Sequence, residues 1–181
     1  TDARIDKLLH LIDKYDPEYA VVTDEKIMYK HIGTYEKKYN NTFIFSSFDG
    51  IMKICLDKRN DIILNAISGK AGLMPSYHIL KNGINLALAN KESIVCAGPI
   101  LKSLAQENRC SIIPVDSEHS AIFHLLENRH NDYIDKIYLT ASGGPFFRLE
   151  KSKWDKITVK EALNHPTWKM GNKISIDSAT M

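Results

Sequence analysis

The chain of 181 residues lacks the features that would place it in several simple protein classes. No apolar run is long enough to span a membrane, and Thr1–Ile12 alternates charged residues with Leu and Ile, unlike a signal peptide. The formal net charge of +2 is too small to indicate nucleic-acid binding, and no basic stripe with interleaved aromatics is present. The hydrophobic share of 44% and charged share of 25% are ordinary for a soluble globular protein.

The chain has few cysteines and none of the common phosphate-binding glycine patterns. Cys55, Cys96 and Cys110 are far apart and form no CxxC pair, so we interpret them as reduced core residues of an intracellular protein. The chain contains neither G-x-G-x-x-G nor G-x-x-x-x-G-K-[ST], and the nucleophile motif G-x-S-x-G is absent as well. No internal repeat or low-complexity segment is evident.

Short apolar segments alternate with segments of helical spacing over the first two thirds of the chain. The predicted strands are Tyr19–Thr23, Thr42–Phe45, Asp61–Asn65, Asn85–Ala89 and Ser111–Pro114. The predicted helices are Ile5–Tyr15, Ile27–Tyr39, Gly50–Asp57, Leu73–Lys81, Glu92–Asn108 and Ser120–Glu127. Asp24 is expected to cap the second helix, and Asn82-Gly83 to close the fourth. This rhythm predicts an α/β fold with a doubly wound parallel sheet.

Asp116 and Glu118, in Pro114-Val-Asp-Ser-Glu-His-Ser120, follow the last of these strands. On a strand, residues two apart point the same way, and two converging carboxylates are favourable when a divalent cation lies between them. A polar turn with Asp116 or Ser117 as the N-cap of the next helix explains the same residues equally well.

Two strand-to-helix loops are further candidates for a site. Asn65–Gly72 and Ala89–Ser93 follow strand ends, where ligands bind in such sheets, and the glycines of the first allow a cofactor to approach the backbone. Lys91 and Glu92 could contact ligand. A helix cap with a surface lysine is the better interpretation of the second loop taken alone.

After Arg129 the regular alternation of predicted strands and helices ends. Asp135–Thr140 is predicted to be a strand, and Ala141–Phe146 is a glycine-rich loop whose N–H groups, with the Ser142 hydroxyl, could bind an anion. A simple Gly-Gly-Pro turn is the alternative.

Five motifs in order and in register resemble the 1-deoxy-D-xylulose 5-phosphate reductoisomerase family. They are Leu88–Ser93, Pro114–Phe123, Ala141–Phe146, His165–Gly171 and Lys173–Met181. The resemblance runs from about Thr1 to Met181 and implies a Rossmann-like NADPH-binding domain over 1–113, followed by the first part of an α+β catalytic domain over 114–181. It also implies metal-assisted rearrangement of the sugar phosphate, then hydride transfer from NADPH.

The resemblance also implies roles for single residues. Asp116 and Glu118 would hold Mg²⁺ or Mn²⁺, and Lys91, Ser117 and Glu118 would contact substrate oxygens. Lys91, Asp116 and Glu118 would be the catalytic residues. The phosphate and the rest of the substrate would be bound by Ser142, His165, Trp168 and Ser178, with Trp168 and Met170 in a flap. NADPH would be contacted by Asn90, Glu92 and Gly171, and Ala66 and Ile67 would line the NADPH-binding site. Without the family, a buried structural pair is the better interpretation of His165 and Trp168.

Several expectations concern the whole protein. In the family a glycine-rich cofactor loop precedes the segment that begins here at Thr1, and a third metal carboxylate follows the Ser-Ala-Thr-Met motif. We therefore expect an internal fragment that is inactive alone, and a homodimer in the full-length enzyme. A bacterial cytoplasm is the expected location, with a plastid stroma as the alternative. A metal-dependent sugar-phosphate hydrolase and a non-catalytic nucleotide-binding domain stay open as other functions.

Overall fold

The computed structural model describes residues 5–30, 41–127, 133–140 and 143–179. The chain divides into two compact units, Thr1–Glu127 and Asn128–Met181. None of the helices in these described ranges is long and apolar enough to cross a membrane.

The first unit alternates strands and helices as predicted. The strands are β1 (Tyr19–Val22), β2 (Phe43–Ser46), β3 (Ile62–Asn65), β4 (Asn85–Leu88) and β5 (Ile112–Pro114). The α-helices are α1 (Ile5–Tyr15), α2 (residues 25–30), α3 (Ser47–Cys55), α4 (Leu73–Lys81), α5 (Lys91–Glu107) and α6 (Ser117–Leu126). A 3₁₀ helix (Gly69–Gly72) lies in the connection between β3 and α4. The predicted bounds of α1 and α4 are confirmed, whereas α3 and α6 each begin three residues earlier than predicted. Residues 31–39 of the helix predicted over Ile27–Tyr39 lie outside the described residues.

Local signals account for several of these boundaries. The Asp24 carboxylate accepts from the backbone N–H groups of Lys26 (2.9 Å) and Ile27 (3.2 Å), which confirms the predicted cap of α2. Gly83 has φ +75° immediately after α4, a conformation that favours glycine. Helix α5 kinks at Ala97 because Pro99 cannot continue the regular hydrogen-bond pattern.

All strand pairs in the described part of the chain are parallel. β1 pairs with β2, and β3, β4 and β5 pair in that order, with Leu88 of β4 opposite Pro114 of β5. β2 lies beyond β1 and β4 lies beyond β3, while residues of β1 and β3 line one cleft of about 1190 Å³. The described strands thus form two separate parallel sheets, β1-β2 and β3-β4-β5, on either side of this cleft. The strand order runs away from the cleft in both directions, as in the two halves of a doubly wound fold.

The main core of this unit lies between the three-stranded sheet and the helices α3, α4 and α5. Ile79, Leu80, Leu86 and Leu101 are fully buried there. A smaller cluster packs α1 and α2 against Val22 and Ile44. Burial of this apolar surface is the main source of stability, and it fixes the strand ends from which the site is built.

Cys55 belongs to the main core and is 3% exposed. Burial raises the pKa of its thiol to about 11. Cys96 is exposed, so the interpretation of the three cysteines as core residues is wrong for Cys96. Because the thiolate is the reactive form, we expect iodoacetamide at pH 8 to modify Cys96 at least about 100-fold faster than Cys55. Peptide mapping by mass spectrometry measures both rates, and equal rates would contradict this burial.

The second unit is built from short elements. It contains a 3₁₀ helix (Lys151–Lys156), α7 (Val159–Ala162) and α8 (Asn172–Asp177). Thr158 and Glu161 form a reciprocal capping box at the start of α7. The strand predicted over Asp135–Thr140 is wrong, because residues 134–140 pair with no strand in the described ranges, and an extended segment without a ladder partner is not stabilised as a strand.

Candidate active site at the carboxyl ends of the strands

Asp116 lies at the carboxyl end of β5, where it is the N-cap residue of α6. Its side chain makes no capping hydrogen bond and is only 14% exposed. Oδ2 is 3.2 Å from Nζ of Lys91, and Oδ1 is 2.7 Å from Nδ1 of His119. The carboxylate therefore lies between two nitrogen groups, one from α5 and one from its own helix.

The register of the sheet explains why Lys91 and Asp116 meet. Leu88 and Pro114 are opposite each other at the ends of β4 and β5. Lys91 follows Leu88 by three positions as the first residue of α5, and Asp116 follows Pro114 by two. Parallel strands place their carboxyl ends at one edge, so residues 25 apart in sequence form an ion pair there.

Opposing influences act on the Asp116 carboxyl. Partial burial is the largest single influence and raises its pKa, but the hydrogen bonds from His119 and Lys91 and their charges act in the other direction. Their sum holds the pKa of Asp116 below its ordinary value. Asp116 is therefore ionised at neutral pH, as a metal-binding carboxylate must be.

The expected common strand face for Asp116 and Glu118 is wrong. β5 ends at Pro114, and Glu118 is the second residue of α6, where it is exposed. Residues two apart do not share a helix face, so the spacing alone does not make the two carboxylates converge. The N-cap interpretation of Asp116 describes the backbone correctly. Metal binding by Asp116 and Glu118 stays a prediction.

The described residues contain no group of three or more His, Cys, Asp or Glu side chains that could hold a metal ion. Asp116 is nevertheless a suitable oxygen donor, since Mg²⁺ in proteins uses one or two carboxylates and completes its shell with water and substrate oxygens. Lys91 and Ser117 also lie at this end of the strands, with Ser117 exposed at the start of α6.

His119 was not predicted from the sequence. The available signal was its position three residues after Asp116, because side chains at i and i+3 meet at the start of a helix. His119, Lys91 and Asp116 line a cavity of about 490 Å³, whose other walls are mainly apolar residues such as Leu88, Ile112 and Phe123. An apolar cavity with a few converging charged groups is the usual form of a small-molecule site.

The large cleft between β1 and β3 is the second part of the candidate site. Most of its lining consists of apolar residues of α1, β1, α3 and β3, and Thr23 after β1 and Ala66, Ile67 and Ser68 after β3 line it at the carboxyl ends of the strands. Ligands of doubly wound sheets bind outside the carboxyl ends of the strands where the winding direction reverses, which is the position of these residues. Ala66 and Ile67 therefore lie on this cleft, and their contact with NADPH stays a prediction.

Asn90 and Glu92 follow the neighbouring strand β4. Asn90 is buried, with 2% exposure, and caps α5 by accepting from the N–H of Ser93 at 2.9 Å. Glu92 is half-buried in the first turn of α5.

In the second unit, the glycine turn and Ser178 lie together. The N–H of Phe146 donates to the carbonyl of Ala179 at 3.0 Å, and Gly144 packs so closely that a Cβ there would overlap the Ser178 carbonyl. The Ser178 hydroxyl donates to the Ile174 carbonyl at 2.8 Å. Ser142 lies outside the described residues.

His165 and Trp168 differ in environment, unlike a buried structural pair. His165 is 8% exposed, and its Nδ1 accepts from the backbone N–H groups of Thr167 (3.2 Å) and Trp168 (3.0 Å). Trp168 is 60% exposed, while Met170 is half-buried and Gly171 precedes α8. His165 therefore fixes a turn that presents an exposed indole.

The comparisons with known proteins agree with this architecture. A family model described as 1-deoxy-D-xylulose 5-phosphate reductoisomerase matches residues 1–98, and the model of its C-terminal domain matches residues 112–181. The second match begins near the domain boundary predicted after residue 113, which stays a prediction.

Individual relatives carry the same name. The protein from Clostridium kluyveri is 42% identical over 177 residues, which are 98% of this chain and 46% of the relative. The protein from Thermodesulfovibrio yellowstonii is 45% identical over 170 residues, which are 94% of this chain and 44% of the relative. The chain thus spans about half the length of the curated relatives that it matches.

Solved structures show the same fold. A DOX-P reductoisomerase in complex with NADPH, fosmidomycin and magnesium superposes with a TM-score of 0.83 at 35% identity, over 99% of this chain and 46% of that one. The 1-deoxy-D-xylulose 5-phosphate reductoisomerase from Zymomonas mobilis in complex with NADPH gives 0.86 at 30% identity, over 99% and 45%.

The parallel sheets, the cleft where the winding reverses and the charged cluster at the strand ends define a Rossmann-like α/β protein. Within this class, the chain belongs to the 1-deoxy-D-xylulose 5-phosphate reductoisomerase family.

Proposed function

We propose that the protein converts 1-deoxy-D-xylulose 5-phosphate to 2-C-methyl-D-erythritol 4-phosphate, a step in isoprenoid precursor biosynthesis. The observation that carries the proposal is the Asp116–Lys91 pair, 3.2 Å apart at the carboxyl end of β4 and β5 within a chain of this family. The Asp116 carboxylate can coordinate a hard metal ion, and the Lys91 ammonium group can contact substrate oxygens.

The proposed cofactors are NADPH and a divalent metal, Mg²⁺ or Mn²⁺. When bound, the metal supplies Lewis-acid polarisation of the substrate oxygens, and NADPH supplies the hydride. Asp116 and Glu118 would hold the metal. Asn90, Glu92 and Gly171, with Ala66 and Ile67, would form the cofactor bed. The cleft of about 1190 Å³ at the reversal of the winding, lined by Ala66 and Ile67, supports this placement.

The chain's own residues would bind and orient the substrate. Lys91 and Ser117 would contact the oxygens of the carbonyl end, with Lys91 offsetting negative charge that develops there. Ser142, His165 and Ser178 would bind mainly the phosphate. The proximity of the Gly143-Gly144 turn to Ser178 supports a common anion site, because both segments bring hydrogen-bonding groups to one place.

The proposed oligomeric state and cellular location follow from the family. We propose a homodimer and a bacterial cytoplasmic location, the latter supported by bacterial relatives such as the one from Clostridium kluyveri. The other partners would be the sugar phosphate and NADPH.

The test is turnover by the complete product of the gene that encodes this chain. NADPH oxidation should require both 1-deoxy-D-xylulose 5-phosphate and Mg²⁺ or Mn²⁺, and it should stop when EDTA is added. Release of inorganic phosphate without NADPH oxidation would instead establish a sugar-phosphate hydrolase. NADPH binding without any turnover would establish a non-catalytic nucleotide-binding protein.

We further expect Trp168 to become covered when substrate binds, because its indole is now 60% exposed on the turn fixed by His165. Its emission should shift to the blue on addition of substrate or a phosphonate analogue, and amides of residues 165–171 should gain hydrogen-exchange protection. Trp154→Phe removes the other tryptophan of this chain as the matched control. Unchanged emission and protection would identify an indole that takes no part in binding.

A further inference from the structure

Two buried asparagines at neighbouring strand ends hold the loop between β3 and α4. Asn65 ends β3 and is 3% exposed, and Asn90 follows β4 and is 2% exposed. The Asn65 carbonyl accepts from the backbone N–H groups of Ala89 (3.0 Å) and Asn90 (3.2 Å), so the two residues are directly linked.

The Asn65 amide reaches both ends of the loop. Its Nδ2 donates to the Gly72 carbonyl and to the Ser76 hydroxyl, both at 2.7 Å. Its Oδ1 accepts from the N–H of Ile67 at 3.1 Å. One side chain thus fixes the first residues of the loop relative to the last.

The Asn90 amide holds the middle of the loop and caps a helix at the same time. Its Nδ2 donates to the carbonyls of Ile67 (2.5 Å) and Gly69 (2.9 Å), with a longer contact to the Glu92 carboxylate at 3.3 Å. Its Oδ1 accepts from the N–H and the hydroxyl of Ser93. Gly72 packs against this amide, because a Cβ at position 72 would lie 2.7 Å from Cγ of Asn90.

Buried amides with every donor and acceptor used are costly to disturb, because each lost partner leaves a desolvated polar group. The loop that they fix carries Ala66, Ile67 and Ser68, which line the large cleft. The side chain of Asn90 is therefore bonded to the loop and to its own helix, so beyond the proposed contact of Asn90 with NADPH it also acts on the ligand through the loop backbone.

We propose that Asn65 and Asn90 are positioning residues for nucleotide binding, which together fix the conformation of residues 66–72 and so place Ala66, Ile67 and Ser68 at the edge of the cleft. This inference rests on the proposed function, since it takes NADPH as the ligand of the cleft.

The test compares Asn65→Ala and Asn90→Ser with the wild type in the complete gene product. Serine caps helices as well as asparagine, so Asn90→Ser removes the donors to the loop and keeps the cap of α5. Asn65→Ala removes three side-chain hydrogen bonds, and Asn90→Ser removes the two bonds to the loop carbonyls. We expect each variant to raise the Kd for NADPH by about 10-fold to 100-fold. The KM for the sugar phosphate at saturating NADPH should change less than about twofold.

Asn85 supplies the matched control. Its amide also bridges strands, donating to the Asp61 carbonyl at 3.1 Å and accepting from the Ser111 N–H at 2.9 Å, but at the amino ends of β3, β4 and β5. Asn85→Ala should lower the Tm and leave the Kd for NADPH unchanged. An equal loss of NADPH affinity in Asn85→Ala, or unchanged affinity in Asn65→Ala and Asn90→Ser, would overturn the proposal.

Hydrogen exchange without nucleotide separates this inference from the proposed function. Amides of residues 66–72 should be protected in the wild type and exchange faster in both variants. If the wild type does not bind NADPH but this difference is seen, the proposed function fails and the asparagines still order the loop. If the loop exchanges freely in the wild type, the positioning role is wrong whether or not NADPH binds.

Discussion

Replacement of Asp116 by Asn is expected to abolish metal-dependent turnover while the protein stays folded. The change removes the ionised oxygen donor that lies between Lys91 and His119 and is only 14% exposed. Loss of an outer-shell partner of a metal ligand costs about 10-fold to 100-fold, and loss of a ligand should cost more. Binding of Mn²⁺, measured by electron paramagnetic resonance, should weaken by more than about 100-fold, and kcat/KM should fall at least as far.

Three further variants make the test specific. Glu118→Gln should lose metal affinity to a similar extent if Glu118 is the second ligand. His119→Ala removes only the 2.7 Å contact to Oδ1 of Asp116 and should fall in the range of about 10-fold to 100-fold. Asp61→Asn removes an exposed carboxylate before β3, far along the strands from Asp116, and should change nothing. Near-normal activity of Asp116→Asn at saturating Mg²⁺ or Mn²⁺ would refute the assignment.

Replacement of Gly144 by Ala is expected to be the most destabilising single methyl addition in the second unit. A Cβ at this position would overlap the carbonyl oxygen of Ser178 and the backbone of Ala179, which cannot move as a side-chain end can. Overpacking of this kind costs about 1–3 kcal/mol, and occasionally more when backbone must shift. The Tm should fall, and because the same shift separates the glycine turn from Ser178, the KM for the sugar phosphate should rise.

Gly171→Ala is the control for Gly144→Ala. No atom lies within 4 Å of a Cβ built at Gly171, and Gly171 is the N-cap residue of α8 in extended conformation. Its free energy of unfolding should therefore change by no more than about 1 kcal/mol, the usual size of a capping effect. Equal stability of Gly144→Ala and the wild type would show that the turn and Ser178 are not packed as described.

The sequence by itself determined the helix bounds and caps whose signals lie within a few neighbouring residues. Helix α4 begins and ends where predicted because its apolar spacing stops at Asn82-Gly83, and Gly83 takes the φ of +75° that ends a helix. Asp24 caps α2 through bonds to residues two and three positions away. The alternation of such elements predicts parallel strands, and the long motifs identify the family without reference to contacts.

Only the tertiary structure decided how the site residues meet. The interval of two residues between Asp116 and Glu118 predicted a common strand face. However, β5 ends at Pro114 and α6 begins at Ser117, so the side-chain period changes from that of a strand to that of a helix. Asp135–Thr140 has the composition of a strand, yet a strand exists only where another chain segment completes its hydrogen bonds. Lys91 reaches Asp116, and Asn65 is linked to Asn90, because parallel pairing brings residues 25 apart in sequence to one edge of the sheet. Contacts of this kind depend on register and packing across the whole sheet, and no window of neighbouring residues contains that information.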